Sequence, residues 1–176
     1  DQGRFTDLDE QPITALVKLY PWEWIMAEDF GRLVPASGVR FIEPPWKMIL
    51  ANKGLLPLLW GMFEGHPNLL PAFFEDDPAA ATLAETGRYV HKPMLSRQGA
   101  NIEIVDDGKT LLHTDGPYGD DAHILQGYHP LTEFDGGYPL IGCWMVASKA
   151  VGLCIREDKT LITGKEARFV PHVIQG

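Results

Sequence analysis

Four basic residues sit in apolar or glycine-flanked segments, where a cation needs a counter-anion. Lys53 lies in Ile49-Leu50-Ala51-Asn52-Lys53-Gly54-Leu55-Leu56 and Lys92 in Tyr89-Val90-His91-Lys92-Pro93. Arg97 lies in Ser96-Arg97-Gln98-Gly99-Ala100-Asn101, and Arg156 closes Val151-Gly152-Leu153-Cys154-Ile155. A bound polyphosphate would supply the missing negative charge, so nucleotide chemistry is the first reading to test. Each residue also has a plainer one. Lys53 is either a ligand-seeking cation or a lysine that packs its stem and keeps its amine in water. Lys92 stands at a strand mouth closed by Pro93, as a ligand contact or an edge lysine. The loop around Arg97, Gly99 and Asn101 either lays N–H groups and a cation against phosphate oxygens or simply connects two strands. Arg156 stabilises transferring phosphate charge or pairs with Glu157 and Asp158. Gln126 ends a strand, offering its backbone to a base edge or its side chain to solvent.

The elements that must hold these residues read as α+β. Ile13–Tyr20 is expected as a strand and Glu23–Phe30 as a short helix. Trp46, Ile49, Lys53 and Leu56 fall near one face of a helix opened by Pro45, with Gly54 and Pro57 ending or kinking it. From Arg88 onward the pattern is mainly β. Asn101–Val105 and Thr110–Thr114 flank Asp106-Asp107-Gly108-Lys109, a hairpin signal. Ala122–Gln126 is a further strand. Tyr138–Val146 is apolar on both faces, as in a buried central strand, and turns through Ala147–Ala150 into Val151–Ile155. Thr160–Thr163 is expected as a last short strand.

Composition narrows the partners. The 176 residues carry a net charge of -9, with 45% hydrophobic and 22% charged residues, as in an ordinary folded domain. The acidic balance argues against nucleic acid. No stretch approaches the about 20 apolar residues of a membrane helix. Cys143 and Cys154 fall in predicted strands and resemble small buried hydrophobes, which suits a reducing cytoplasm. His66, His91, His113, His123, His129 and His172 show no metal spacing, so no metal ligand is assigned within the chain. Trp22, Trp24, Trp46, Trp60 and Trp144 are expected to fill core or interface space.

Five segments recur in a known order. Lys18-Leu19-Tyr20-Pro21-Trp22-Glu23-Trp24, Glu43-Pro44-Pro45-Trp46-Lys47, Asn52-Lys53-Gly54-Leu55-Leu56-Pro57-Leu58-Leu59-Trp60, Lys92-Pro93-Met94-Leu95-Ser96-Arg97-Gln98-Gly99-Ala100-Asn101-Ile102 and Ile155-Arg156-Glu157-Asp158 resemble the glutathionylspermidine synthase family. The resemblance covers nearly the whole chain. It implies an ATP-grasp-like fold, mainly antiparallel sheet with flanking helices, and ATP-dependent joining of a carboxylate to an amine. An acyl phosphate is the intermediate, with ADP and phosphate as products. It implies that Lys53 and Lys92 hold ATP phosphates, that the loop with Arg97, Gly99 and Asn101 covers them, and that Gln126 lies on the strand leading to the adenine hinge. Arg156 matches an arginine near the transferring phosphate. A small peptide acid and a polyamine-like amine are the substrate classes implied.

One departure is expected to matter. The family's magnesium ligands follow an R-x-D…E-x-N pattern upstream of the lysine segments, and this sequence does not contain it. The chain therefore reads as an incomplete C-terminal part of a longer cytoplasmic ligase, inactive alone, with its magnesium ligands in a missing N-terminal part. Residues 1–45 would be a remnant of the central sheet region, 46–105 the lysine-bearing lobe and 106–176 the C-terminal sheet. The alternatives are a nucleotide-binding module or pseudoenzyme without ligase activity, and a structural domain whose tryptophans form an interaction surface.

Overall fold

The computed structural model describes residues 3–174, and the chain divides into two compact units on either side of Leu55 and Leu56. In the first unit β1 (Ala15–Val17) leads through Pro21 into α1 (Trp22–Ala27), and a 3₁₀ stretch follows over Asp29–Ala36. β2 (Arg40–Ile42) then pairs in parallel with β1. Trp22 and Ile25 are buried, and the Trp22 ring stands 5.1 Å from that of Phe41. Gly31 is required here, because a Cβ would lie 2.0 Å from the Ile25 carbonyl oxygen.

The chain does not form the helix expected through Trp46, Ile49, Lys53 and Leu56. A 3₁₀ turn at Pro45–Lys47 gives way to α2 (Met48–Ala51), which stops at Asn52 with extended backbone, φ -92° and ψ 121°. The Asn52 side chain competes for local backbone donors, accepting the Gly54 N–H at 2.7 Å. Lys53 thus sits half-buried in a helix break and not on a helical stripe. A new helix, α3 (Leu55–Met62), spans the boundary between the units.

The second unit holds β3 (Ala72–Phe74), α4 (Pro78–Glu85), β4 (Arg88–Pro93), β5 (Glu103–Asp106), β6 (Lys109–His113) and β7 (His123–Gly127). These strands form an antiparallel sheet in the order β3-β7-β4-β5-β6. Its core lies where Ala80 and Leu83 of α4 meet Leu125, with Phe73 and Tyr89 packed beside them. Sequence reading passed over α4, yet its start is marked: Asp77 caps it, accepting the Ala79 N–H at 2.9 Å, and Pro78 opens its first turn. The hairpin signal holds, with Asp107 and Gly108 both at positive φ between β5 and β6.

A second antiparallel sheet is formed by β8 (Tyr138–Val146), β9 (Lys149–Asp158) and β10 (Arg168–Phe169), in the order β10-β9-β8. This corrects three expectations. β8 is an edge strand, not a buried central one, and Ile141, Trp144, Met145 and Val146 are exposed along it. Cys143 is accordingly exposed and Cys154 only half-buried. Thr160–Thr163 forms no strand. Asp158 instead gathers the Thr160 and Gly164 N–H groups at 3.2 and 2.8 Å, curling the segment into a loop.

Candidate functional site

Strand alternation puts neighbouring residues of β4 on opposite faces of the five-stranded sheet. Lys92 therefore shares one face with Gln126, which lies one step along the neighbouring β7. The Lys92 ammonium donates to the Gln126 side-chain carbonyl oxygen at 2.6 Å. Both residues are half-buried, and the apolar side chains of Ile104 and Ile124 are buried on the same face. Gln126 carries no formal charge, so this contact orients the ammonium as a neutral acceptor. The sequence suggested the Gln126 backbone as the useful group. The structure shows its side chain meeting a second candidate residue.

The loop that follows β4 is shaped by its backbone. Gln98, Gly99 and Asn101 all adopt positive φ. Thr114 fastens the loop by donating its hydroxyl to the Gly99 carbonyl at 2.5 Å and accepting the Ile102 N–H at 3.0 Å. The Asn101 side chain accepts the Tyr118 N–H at 2.9 Å, tying the glycine-rich segment 115–121 to it. Arg97 is exposed at its start. A Cβ on Gly99 would lie 2.7 Å from the Thr163 carbonyl oxygen and 3.0 Å from Ile162. Only glycine allows that approach.

Arg156 reaches the same segment from the other sheet. Its guanidinium donates to the Gly164 carbonyl at 2.6 Å. The expected local ion pair does not use it: Glu157 pairs with Arg168, whose Nε donates at 3.0 Å, and Asp158 caps the 159–164 loop. Those N–H groups, that of Gly164 foremost, hold the Asp158 carboxyl below the usual carboxylate range. Residues 162–164 are thus where the Gly99 loop and the arginine meet. Lys53 belongs to the first unit, in the helix break already described.

Two constellations escaped sequence reading. In the first unit Lys18 is buried, forms an ion pair with Glu43 at 2.9 Å and donates to the Tyr20 carbonyl at 2.9 Å. The Trp22 indole N–H donates to the Glu43 carbonyl at 3.1 Å, so the Lys18–Trp24 and Glu43–Lys47 segments are stitched together. In the second unit Glu75, His91 and His123 converge from three adjacent chain segments. Their spacing in sequence, 16 and 32 residues, follows strand pairing and matches no short motif.

A family model described as glutathionylspermidine synthase preATP-grasp matches residues 1–175. The chain belongs to the glutathionylspermidine synthase family. Relatives within this glutathionylspermidine synthase group include a putative acid–amine ligase of Haemophilus influenzae, 41% identical over 96% of this chain and 44% of that protein. A trypanothione synthetase of Crithidia fasciculata is 31% identical over 96% of this chain and 29% of its own length. A bifunctional glutathionylspermidine synthetase/amidase of Escherichia coli is 33% identical over 77% of this chain and 22% of its own length. The chain thus spans less than half the length of these curated relatives. Its architecture, α+β with antiparallel sheets and few helices, is consistent with the glutathionylspermidine synthase preATP-grasp assignment.

Proposed function

We propose that this chain supplies the ATP-clamping part of an ATP-dependent carboxylate–amine ligase, in an ATP-grasp-like fold completed by the rest of a longer protein. In this reading ATP phosphorylates a carboxylate of a small peptide acid. A polyamine-like amine displaces the phosphate, leaving an amide, ADP and phosphate. The observation that carries the reading is the convergence of the Gly99 loop and Arg156 on Thr163 and Gly164. A loop rich in positive φ presents backbone N–H groups to phosphate oxygens, and an arginine set beside it forks two oxygens of the group in transfer.

Lys53 and Lys92 hold the phosphates, Arg97, Gly99 and Asn101 form the cover, and Gln126 orients Lys92 on the strand that leads to the adenine edge. Arg156 neutralises charge on the transferring phosphate. Asp158, two residues beyond Arg156 in β9 and so on the same face of the strand, is engaged with backbone N–H groups of its own loop. Magnesium is expected to be held by carboxylates outside this chain, since the family's R-x-D…E-x-N pattern is not in this sequence, and there it would neutralise phosphate charge. Residues 1–45, 46–105 and 106–176 act as functional regions contributing in turn the central-sheet remnant, the lysine lobe and the C-terminal sheet. The exposed apolar β8 supports a place for this chain against the remaining portion of the protein, and a cytoplasmic location belongs to this reading through the family resemblance alone.

The test is ATP-dependent phosphate release by the longest protein containing this chain, over a panel of peptide acids and polyamines. Arg156→Ala should lower kcat by about 100-fold or more, the scale of a lost transition-state contact. Lys92→Ala should chiefly weaken ATP binding. Activity that survives Arg156→Ala unchanged removes the proposed role. ATP binding without turnover of any acid–amine pair would favour a nucleotide-binding module instead.

A further inference from the structure

On the face of the five-stranded sheet opposite Lys92, a row of side chains crosses all five strands. His91 lies directly across from Glu103, and Glu103 directly across from His113. His123 stands on the same face, two residues before the Leu125 that pairs with His91. Glu75 extends the β3 register, its N–H donating to the His123 carbonyl at 3.3 Å. The order across the sheet is thus acid, imidazole, imidazole, acid, imidazole. This row lines one wall of a pocket of about 470 Å³.

We propose that Glu75, His91 and His123 form a binding site for a divalent transition metal of the zinc class. One ligand atom from each of the three lies within 4.8 Å of the other two. His91 Nε2 is already 3.1 Å from the Glu75 carboxylate, close to the roughly 3.4 Å edge implied by tetrahedral zinc with bonds of about 2.0–2.1 Å. Side-chain rotation closes the remainder.

The other ring nitrogen of His91 explains the polarity of the site. His91 Nδ1 faces the Glu103 carboxylate at 3.5 Å. A carboxylate in that place fixes the proton on Nδ1 and turns the Nε2 lone pair toward Glu75 and His123. His113 Nδ1 approaches the same Glu103 at 3.3 Å and its Nε2 approaches Asp115 at 3.3 Å, so Glu103 is itself braced. The His91 and His123 rings stack with centroids 4.5 Å apart and 22° between their planes, which keeps the two imidazoles side by side at the site. Two nitrogen donors and one carboxylate select zinc, nickel or cobalt over magnesium, which takes oxygen ligands.

The experiment titrates chelator-stripped chain with Zn²⁺ alone, reading calorimetric stoichiometry, thermal midpoint and the histidine ring NMR signals. The absorption of a Co²⁺-loaded sample reports coordination geometry. One saturable Zn²⁺ per chain, a raised midpoint and shifted His91 and His123 ring signals are expected. His91→Gln and His123→Gln should each abolish the saturable site, while His172→Gln and Lys92→Ala leave it intact. Glu103→Ala should weaken Zn²⁺ binding by about 10–100-fold, the usual cost of losing a carboxylate behind a histidine ligand. Should the histidine variants fail to fold, Glu75→Gln at its exposed position must weaken the site instead. Absence of saturable Zn²⁺ binding in the wild-type chain overturns the proposal. So does binding of wild-type strength in folded His91→Gln and His123→Gln, or in Glu75→Gln.

Discussion

At the scale of single residues, two of the cations each donate to a neutral carbonyl oxygen: Lys92 to that of the Gln126 side chain and Arg156 to that of the Gly164 backbone. Asp158 shapes the loop that offers the second of these. Its folded-state pKa lies below the unfolded value, so its stabilising effect is fully present above about pH 4, the unfolded carboxylate range. That contribution is lost as pH falls through the lower, folded-state value. Asp158→Asn should therefore lower unfolding free energy at neutral pH, and the gap to wild type should close on acidification. Denaturant titrations from neutral pH down to about 2 would check this. A gap that stays constant with pH would assign the effect to packing. The sequence singled out Arg97, Gly99, Asn101 and Arg156 through their order within a family-like framework more than through their flanks, and the structure draws the Gly99 loop and Arg156 to one segment. Lys18 and Glu43 were not legible as a pair, since 25 residues separate them and their contact follows from the parallel pairing of β1 with β2.

At the scale of elements, the reading succeeded where local chemistry dictates local structure. Asp107-Gly108 adopts the two positive φ values that a tight hairpin needs, and the strands on either side follow. It failed where periodicity was ambiguous. Apolar spacing from Trp46 to Leu56 fits one helical face, and the interruption expected at Gly54 comes two residues sooner, because Asn52 captures the Gly54 N–H and takes Lys53 off that face. Tyr138–Val146 is apolar on both faces, which sequence cannot distinguish from a strand buried within one chain. The turn between β8 and β9 uses Ala147 and Ser148 at φ 47° and 63°, positions that suit asparagine and glycine. Ala147→Asn combined with Ser148→Gly should stabilise the hairpin by about 1–2 kcal/mol, since left-handed backbone costs an ordinary residue that much. Thermal unfolding of the chain should show a higher midpoint, and an unchanged or lower one would refute the estimate.

At the scale of the whole molecule, the chain carries a net charge of -9 while presenting Trp144, Met145, Val146 and Val151 to solvent. The outer backbone of β8 pairs with no further strand among the described residues. Two opposing forces follow for a solution of this chain by itself. Like charge holds copies apart over about 8–10 Å at ordinary ionic strength, whereas the apolar edge favours strand-to-strand association once copies touch. Added salt weakens the first force and leaves the second. Light scattering should therefore show self-association rising with sodium chloride, and Val146→Lys, which sets a charge on that edge, should suppress it. Association that falls with salt would instead indicate charge pairing between copies. For anyone handling the protein, the ribbon from Tyr138 to Asp158 thus sets its shelf life: low-salt buffer at a pH well above 5.0, the sequence isoelectric point, is the condition that keeps it monodisperse.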